Sequence, residues 1–534
     1  MKRTIALLLA LVMVLALAAC GSKNDTQPAA AGSAEAENAA APAEKELRIA
    51  VTSNMTDFDA TQGNGSTVLL EVARLAETLV NVDKEFQIYP GLATSWERTG
   101  DKTWVFHLRD DVTFQDGTKF NAEAVKWWLE KTRDNMASFD TYTHIESVDV
   151  VDEYTIQCNL NKSFSELPEA MTNQCCLILS PTSFKDDGTF DKPIGTGYFQ
   201  FESFDVNQSI LTLVPYDDYW ADKPDSSITR RVIKSIPDPS TRALAASNGE
   251  VDVAIDVPFS ELTALENEPG IDVLKYNTAR TYLWSYNLDK PYLQDVNVRR
   301  ALIYAINREE IVNDVLLGVG GVAHGVMMDE IPWTNTDVDM YDYDPAKAMA
   351  LLDEAGFVDS DGDGIREYQG QEVKITLITG SYRPGLPLIA QAMQGYFTAI
   401  GLDAEAQVLE GNTMTEVRES GEWDLVSNSM AACYIPSASY YISQMFHSES
   451  SNASRLGYKN EALDKIIDDC MATDDLETKY DLSRQAQALA QEDAVTYTVC
   501  LYGAVFIMNE KLTGFDYSPA VHDFVVPITT DIAD

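Results

Sequence analysis

Apolar positions recur along the chain with two periods, and the order of those periods predicts the elements. Leu47–Val51 reads as a strand. Val68–Val80 carries apolar residues at helical spacing. Trp104–Leu108 and Val112–Phe114 flank Asp110-Asp111 and predict a hairpin. Asn121 is placed to cap a helix with Ala124, Val125, Trp128 and Leu129 on one face, and short strands are predicted at Ser147–Val151 and Thr155–Leu160. From Val232 strands and helices alternate. The helix Thr241–Asn248 ends at Gly249 and is followed by the strand Val251–Ile255; a long helix is predicted over Val298–Leu317 and another over Pro345–Ala355, closed by Gly356. Val373–Thr379, Pro387–Ile400 and Asp403–Leu409 form a βαβ-like unit; helices at Leu463–Ala472 and Lys479–Asp493 precede a final apolar strand over Val495–Met508. This alternation predicts a large α/β architecture.

The first residues break the pattern. Lys2 and Arg3 precede an uncharged apolar run, Ile5–Leu17, and Leu17-Ala18-Ala19 end it at Cys20. That is the layout of a secretory signal, residues 1–19, with small residues before the cut. A Cys directly after the cut resembles a bacterial lipobox, which implies lipidation of Cys20. Residues 22–44 contain no Leu, Ile, Val or aromatic residue and read as a flexible tether within 20–45. The 534 residues hold 39 Lys+Arg against 84 Asp+Glu, a net charge of −45, which excludes a nucleic-acid binder. The same charge predicts a body repelled by anionic headgroups, so the membrane is met through the lipid alone. After Cys20 there are Cys158, Cys175, Cys176, Cys433, Cys470 and Cys500, too few for a disulfide scaffold, and most are expected to be buried thiols.

Catalytic signatures are absent: there is no HExxH, GxSxG, GxxxxGK[ST] or CxxC, and the five His are not at metal-ligand spacing on one helix. One run has ligand character. Asp359, Asp361 and Asp363 with Gly364 and Glu367 match the start of a calcium loop, although the twelfth position is Gly370 where a bidentate Glu is needed. Asp359, Asp361, Asp363 and Glu367 are therefore the candidate ligands for a structural calcium, with an acidic surface turn as the alternative.

A set of motifs then points to a family. Leu92–Glu97, Trp104–Arg109, Phe114–Val125, Pro193–Phe199, Asp218-Tyr219-Trp220, Pro237–Ala243, Gly249–Asp252, Val298–Leu302 with Ala305–Arg308, and Tyr343-Asp344-Pro345 occur in that order. Together they resemble the family 5 (cluster C) extracellular solute-binding proteins of peptide and nickel ABC transporters, over about residues 46–530, with the nickel-type binders nearest in overall look. The resemblance implies an α/β, two-lobed periplasmic-binding-protein-like fold (type II, cluster C) with an extra α/β domain inserted in the first lobe. By analogy lobe I comprises 46–77, 195–280 and 500–534, the extra domain 78–194, and lobe II 281–499. Gly195 and Gly197 are expected to serve a tight turn, and Trp96, Trp104 and Phe120 to be core.

The resemblance also implies a non-enzymatic function. The chain is expected to capture a small solute, a nickel complex or an oligopeptide, between its lobes. It would deliver that solute to ABC permease subunits and their ATPase, as a monomer held outside the cytoplasm by the lipid on Cys20. No cofactor is expected; nickel would be the transported ligand. Peptide binders of the family hold the α-ammonium with an Asp of the second lobe, but no acid occurs from Leu425 to Met445. Nickel-type members use aromatic walls and a His, and here Tyr434, Tyr440, Tyr441 and His447 are the candidate ligand-binding residues, with His447 the candidate nickel ligand. The arginines those members turn to a chelator's carboxylates fall at Ala137 and Gln174. A secreted hydrolase on an α/β scaffold, and a peptide-holding or sensor protein on the same fold, are the alternatives.

Overall fold

The computed structural model of the chain describes residues 45–52, 55, 57–520 and 524–533. The signal, Cys20 and nearly all of the tether lie outside them. Among the described residues no helix is long and apolar enough to cross a membrane.

The strands used below are β1 (Glu46–Val51), β2 (Ala93–Gly100), β3 (Thr103–Leu108), β4 (Ile145–Asp152), β5 (Thr155–Leu160), β6 (Phe199–Asp205), β7 (Ile210–Pro215), β8 (Arg230–Ser235), β9 (Val253–Ile255), β10 (Ile271–Tyr286), β11 (Lys374–Gly380), β12 (Asp403–Leu409), β13 (Leu425–Ala431) and β14 (Thr496–Asn509). The helices used below are α1 (Asn64–Ala73), α2 (Ala122–Asn135), α3 (Ala137–Thr143), α4 (Pro239–Ser247), α5 (Val296–Tyr304), α6 (Pro345–Glu354), α7 (Gly385–Ala399), α8 (Tyr440–Phe446), α9 (Glu461–Ala472) and α10 (Leu476–Asp493).

Ten strands form one sheet in the order β12-β11-β13-β10-β14-β9-β1-β8-β7-β6, and β2-β3-β5-β4 form a second. β10 and β14 are long and antiparallel, and they stand between two sets of shorter strands. On one side β9, β1 and β8 run parallel to each other; on the other β13, β11 and β12 do the same. The register of the β10–β14 pair slips between Asn277 and Thr281, so the ladder is interrupted where one half gives way to the other. The result is a two-lobed α/β molecule, with the four-stranded sheet and α2 forming a further layer.

Most predicted elements form at the expected places; β5 and β12 match to the residue. Three differ, each for a tertiary reason. The helix expected over Val68–Val80 is α1, ended by Arg74 at φ 54°. Beyond it the Leu75 carbonyl accepts from Gly197 N–H at 2.9 Å and from Gln115 Nε2 at 3.1 Å, so it is not available to a helix. The hairpin expected over Thr103–Phe114 is instead β2–β3, with its turn at Asp101-Lys102. Val112 and Phe114 are buried outside the sheet, and Phe114 N–H closes a turn onto Thr118. The helix expected over Val298–Leu317 breaks after α5, because Asn307 is extended and its side chain caps a new start at Glu310 N–H.

The sequence motifs turn out to be stitches between distant segments. Gln115 Nε2 donates to the carbonyls of Leu75, Gly197 and Phe199, and its Oε1 accepts from Gly195 N–H. Thr196, Tyr219 and Trp220 each donate to the Glu77 carboxylate at 2.8 Å. Burial pushes the Glu77 carboxyl up, and these three donors oppose that shift. Arg242 donates to the carbonyls of Ile236, Pro237, Ile255 and Asp256, and Asp344 caps α6. Trp104 and Phe120 are buried as expected, and Trp96 packs against the core.

Gly195 and Gly197 are required for closeness rather than for an unusual φ. A Cβ at Gly195 would lie 2.2 Å from the Leu75 carbonyl oxygen, and one at Gly197 2.4 Å from that of Arg74. Gly195→Ala must push two backbones apart and is expected to destabilise the protein by about 1–3 kcal/mol. Urea unfolding followed by circular dichroism measures it, and a midpoint equal to that of the wild type would refute the packing argument.

Candidate functional site

Two cavities lie between the segment 71–174 on one side and strands and helices of the 279–471 region on the other. The first, of about 40 Å³, is lined by Glu71, Asn173, Gln174, Arg280, Cys433 and Tyr434 among others. It has room for about one water molecule. The second is a chamber of about 530 Å³ whose walls carry Tyr142, His144, Lys162, Tyr440, His447 and Asp468. That volume falls in the range of small-molecule sites, roughly 300–1,000 Å³.

A tyrosine trio connects the two. The Tyr142 ring is 5.6 Å from Tyr434 and 5.9 Å from Tyr440, edge to face, and Tyr434 and Tyr440 are 6.4 Å apart. Tyr434 follows β13 and is fixed from across the gap: Asn173 Nδ2 donates to its carbonyl at 2.7 Å, and Gln174 Nε2 donates to its hydroxyl. Burial pushes the Tyr434 and Tyr440 phenols up, so both remain neutral hydrogen-bonding groups.

The chamber holds two imidazoles on opposite walls. His447 ends α8, its Nδ1 accepts from Glu449 N–H at 3.2 Å, and its Nε2 lies 3.5 Å from Asp468 Oδ1. His144 ends α3 in the left-handed region, at φ 55°, packed 4.9 Å from the Phe164 ring. Burial, reinforced by the nearby Lys162 charge, pushes the His144 imidazole down to about 3, which keeps it neutral at physiological pH. Asp140, Glu449 and Asp468 add carboxylates to the walls.

The four candidate ligand-binding residues therefore separate. Tyr434 lines the small cavity, and Tyr440 and His447 line the chamber. Tyr441 lines neither: it is fully buried against Phe446, and burial pushes its phenol up to about 12. Within α8, Tyr440 is turned to the chamber and Tyr441 to the core. Gln174, where an arginine was looked for, does reach the site, as a brace for Tyr434. Tyr142, His144, Lys162, Glu71 and Arg280 escaped sequence reasoning, because nothing in their local pattern marks residues of different segments as neighbours.

The acidic loop lies elsewhere. One carboxylate oxygen from each of Asp359, Asp361, Asp363 and Glu367 lies within 4.8 Å of the others. Asp359 also accepts from Gly362 and Gly364 N–H, and Glu367 from Ser360, whose two donors hold the Glu367 carboxyl below its usual range. Like charges held this close repel unless a cation screens them. The calcium expectation is tested by thermal unfolding in millimolar calcium against chelator: a bound ion raises the midpoint, and equal midpoints dismiss it.

Comparison with known proteins gives a consistent set. The chain is 27% identical, over 457 residues, to the nickel-binding periplasmic protein of Escherichia coli K12, covering 83% of this chain and 86% of that one. It is 26% identical to the glutathione-binding protein of the same organism, covering 90% and 94%. The crystal structure of a nickel ABC transporter protein from Bacillus halodurans superposes with a TM-score of 0.75 at 29% identity, over 92% of this chain and 100% of that one. The fold of this chain is thus the α/β, two-lobed, type II periplasmic-binding-protein-like one. The model of the bacterial extracellular solute-binding proteins, family 5, matches residues 87–453. With that match spanning most of its length, the chain belongs to family 5 of the bacterial extracellular solute-binding proteins.

Proposed function

We propose that the chain is a lipid-anchored, non-enzymatic capture protein of an ABC importer, and that its solute is a nickel complex. The observation that carries the choice of solute is His447 on the wall of a polar chamber of about 530 Å³ bounded by tyrosines. A neutral imidazole is a suitable ligand for nickel, and ring faces suit the organic part of a chelate. The nickel-binding relative supports the same reading.

The sheet order supports the lobe assignment. Lobe I (46–77, 195–280, 500–534) then takes β1, β6–β9 and part of the central pair, lobe II (281–499) takes β11–β13, and the extra domain (78–194) takes the four-stranded sheet. β10 and β14 cross the boundaries at 280/281 and 499/500, as hinge strands must. The captured solute passes to permease subunits and their ATPase, and the lipid on Cys20 keeps the protein near them outside the cytoplasm.

An oligopeptide is the second reading. The stretch from Leu425 to Met445 has no acid to hold an ammonium. Glu449 and Asp468 on the chamber wall could do so instead, and the glutathione-binding relative favours this class.

Calorimetry separates the two. Nickel with free histidine is expected to bind, and His447→Ala to weaken that binding on the order of 10–100-fold, the scale of disturbed metal-site residues. Heat from a di- to pentapeptide pool alone would retire the nickel reading and leave the importer role standing. Cys20→Ser is expected to leave an unprocessed precursor or release the protein to the medium. A variant that stays membrane-anchored at normal mature mass would refute the lipid anchor.

A further inference from the structure

Three charged side chains meet in the seam beside the chamber. Glu166 opens the short helix Leu167–Ala170 and Glu169 lies within it, while Lys479 stands in the first turn of α10. Lys479 Nζ lies 3.7 Å from Glu166 Oε1, with the two side chains 7% and 1% exposed. The Ser439 hydroxyl, on the chamber wall, donates to Glu166 Oε2. Glu169 is half-buried, yet its Oε2 is enclosed and meets no hydrogen-bond donor among the described residues. The same seam continues through Ser165, which donates twice to the Met471 carbonyl, and Arg98, which pairs with Asp474 at 2.7 Å.

The charges of the cluster do not balance. Two carboxylates share one ammonium, so ionising both leaves an excess negative charge in a place poor in water. Neighbouring carboxylates resist ionising together, and burial disfavours the charged form of each. Burial first, and then the Glu166 charge, push the Glu169 carboxyl up to about 7, with Lys479 opposing them. The other titratable groups that face the cluster are Tyr480 on α10 and Cys470 on α9. Burial pushes both of these up, so neither changes charge in the range where Glu169 does. Arg484, further along α10, is engaged by Asp481 at 3.2 Å.

We propose that Glu166, Glu169 and Lys479 form a proton-linked seam: the lobes take up one proton at Glu169 as they close over the chamber and release it as they open. Closing brings the glutamate segment against α10 and expels water from between them. Opening returns Glu169 to water, where a carboxyl ionises in its ordinary range. The closed form therefore holds the proton more tightly than the open one. Closing is favoured as pH falls; the preference declines as pH rises toward neutrality and levels off once the closed form has lost its proton too. The inference rests on the reading that two lobes close over this chamber, and not on the identity of the solute.

Small-angle X-ray scattering of the purified protein without solute, from about pH 5 to about pH 8, tests the linkage. The wild type is expected to be compact at the acid end and to expand toward neutrality. Its closed-to-open ratio falls about tenfold per pH unit between roughly pH 5 and pH 7, as one linked proton requires. Glu169→Gln keeps the size of the side chain and stays neutral, so it is expected to remain compact throughout. Glu166→Gln leaves Lys479 to act on Glu169 unopposed and is expected to end the decline at a lower pH. A wild-type radius that ignores pH overturns the proposal, as does a Glu169→Gln protein that keeps the wild-type profile. A radius that contracts on adding nickel with histidine, or the peptide pool, but ignores pH overturns the proton linkage alone. A radius that answers to none of them overturns the closing of the lobes as well. If Glu169→Gln fails to fold, a Glu166→Gln protein with the wild-type pH profile overturns the proposal.

Discussion

The structure depends on one shared pair of strands. β10 and β14 are the only long strands of the ten-stranded sheet, with 16 and 14 residues, and they contribute hydrogen bonds to both lobes. β14 is buried along nearly its whole length. A single strand pair is thus common to both sides of the ten-stranded sheet. The ladder between the two strands is interrupted twice, between Asn277 and Thr281 and between Tyr282 and Leu283. Gly503 belongs to the same constraint: a Cβ there would lie 2.3 Å from Gly320 N, so only glycine lets the loop after the broken helix lie against β14.

Polar groups as well as rings join residues 98–166 to residues 434–479. Arg98 on β2 pairs with Asp474 at 2.7 Å, and Ser165 donates twice to the Met471 carbonyl at the end of α9. Glu166 accepts from Ser439 and lies 3.7 Å from Lys479, with both charged side chains almost fully buried. Charged and hydroxyl groups recover hydration when exposed, whereas a broad apolar face would not separate without a large loss. The chamber floor ends at this polar seam, so the groups that hold the lobes together adjoin the groups that would hold a solute.

The site itself is divided by aromatic rings. Tyr142, Tyr434 and Tyr440 come from both sides of the gap, and they leave a nearly filled space on one side and an open chamber on the other. Stiff rings can be placed by a few backbone hydrogen bonds, as Asn173 places Tyr434, at little conformational cost. On the chamber walls imidazoles, carboxylates and a lysine stand together.

Much of this was legible in the chain. Alternation of strand and helix patterns foretold the α/β class, and glycines such as Gly249 and Gly356 stopped helices where they were expected to, each at positive φ. Tyr434, Tyr440 and His447, named through the resemblance to nickel-type members, line cavities in the structure. Local pattern failed where a distant segment competed for the same groups. Leu75 left its helix for Gly197 and Gln115, Val112 and Phe114 left their hairpin for the core, and Tyr441 turned into the core beside a neighbour that faces the chamber. Sequence by itself determined the periodicities and the caps, because each depends on residues within a few positions of one another, and the excess of acid, which is a simple sum. Tertiary structure alone decided that His144 faces the chamber of His447, that Asn173 braces Tyr434 and that Asp256 meets Arg383. Those pairs are separated by more than a hundred residues, and only the closing of one sheet across two lobes brings them within reach.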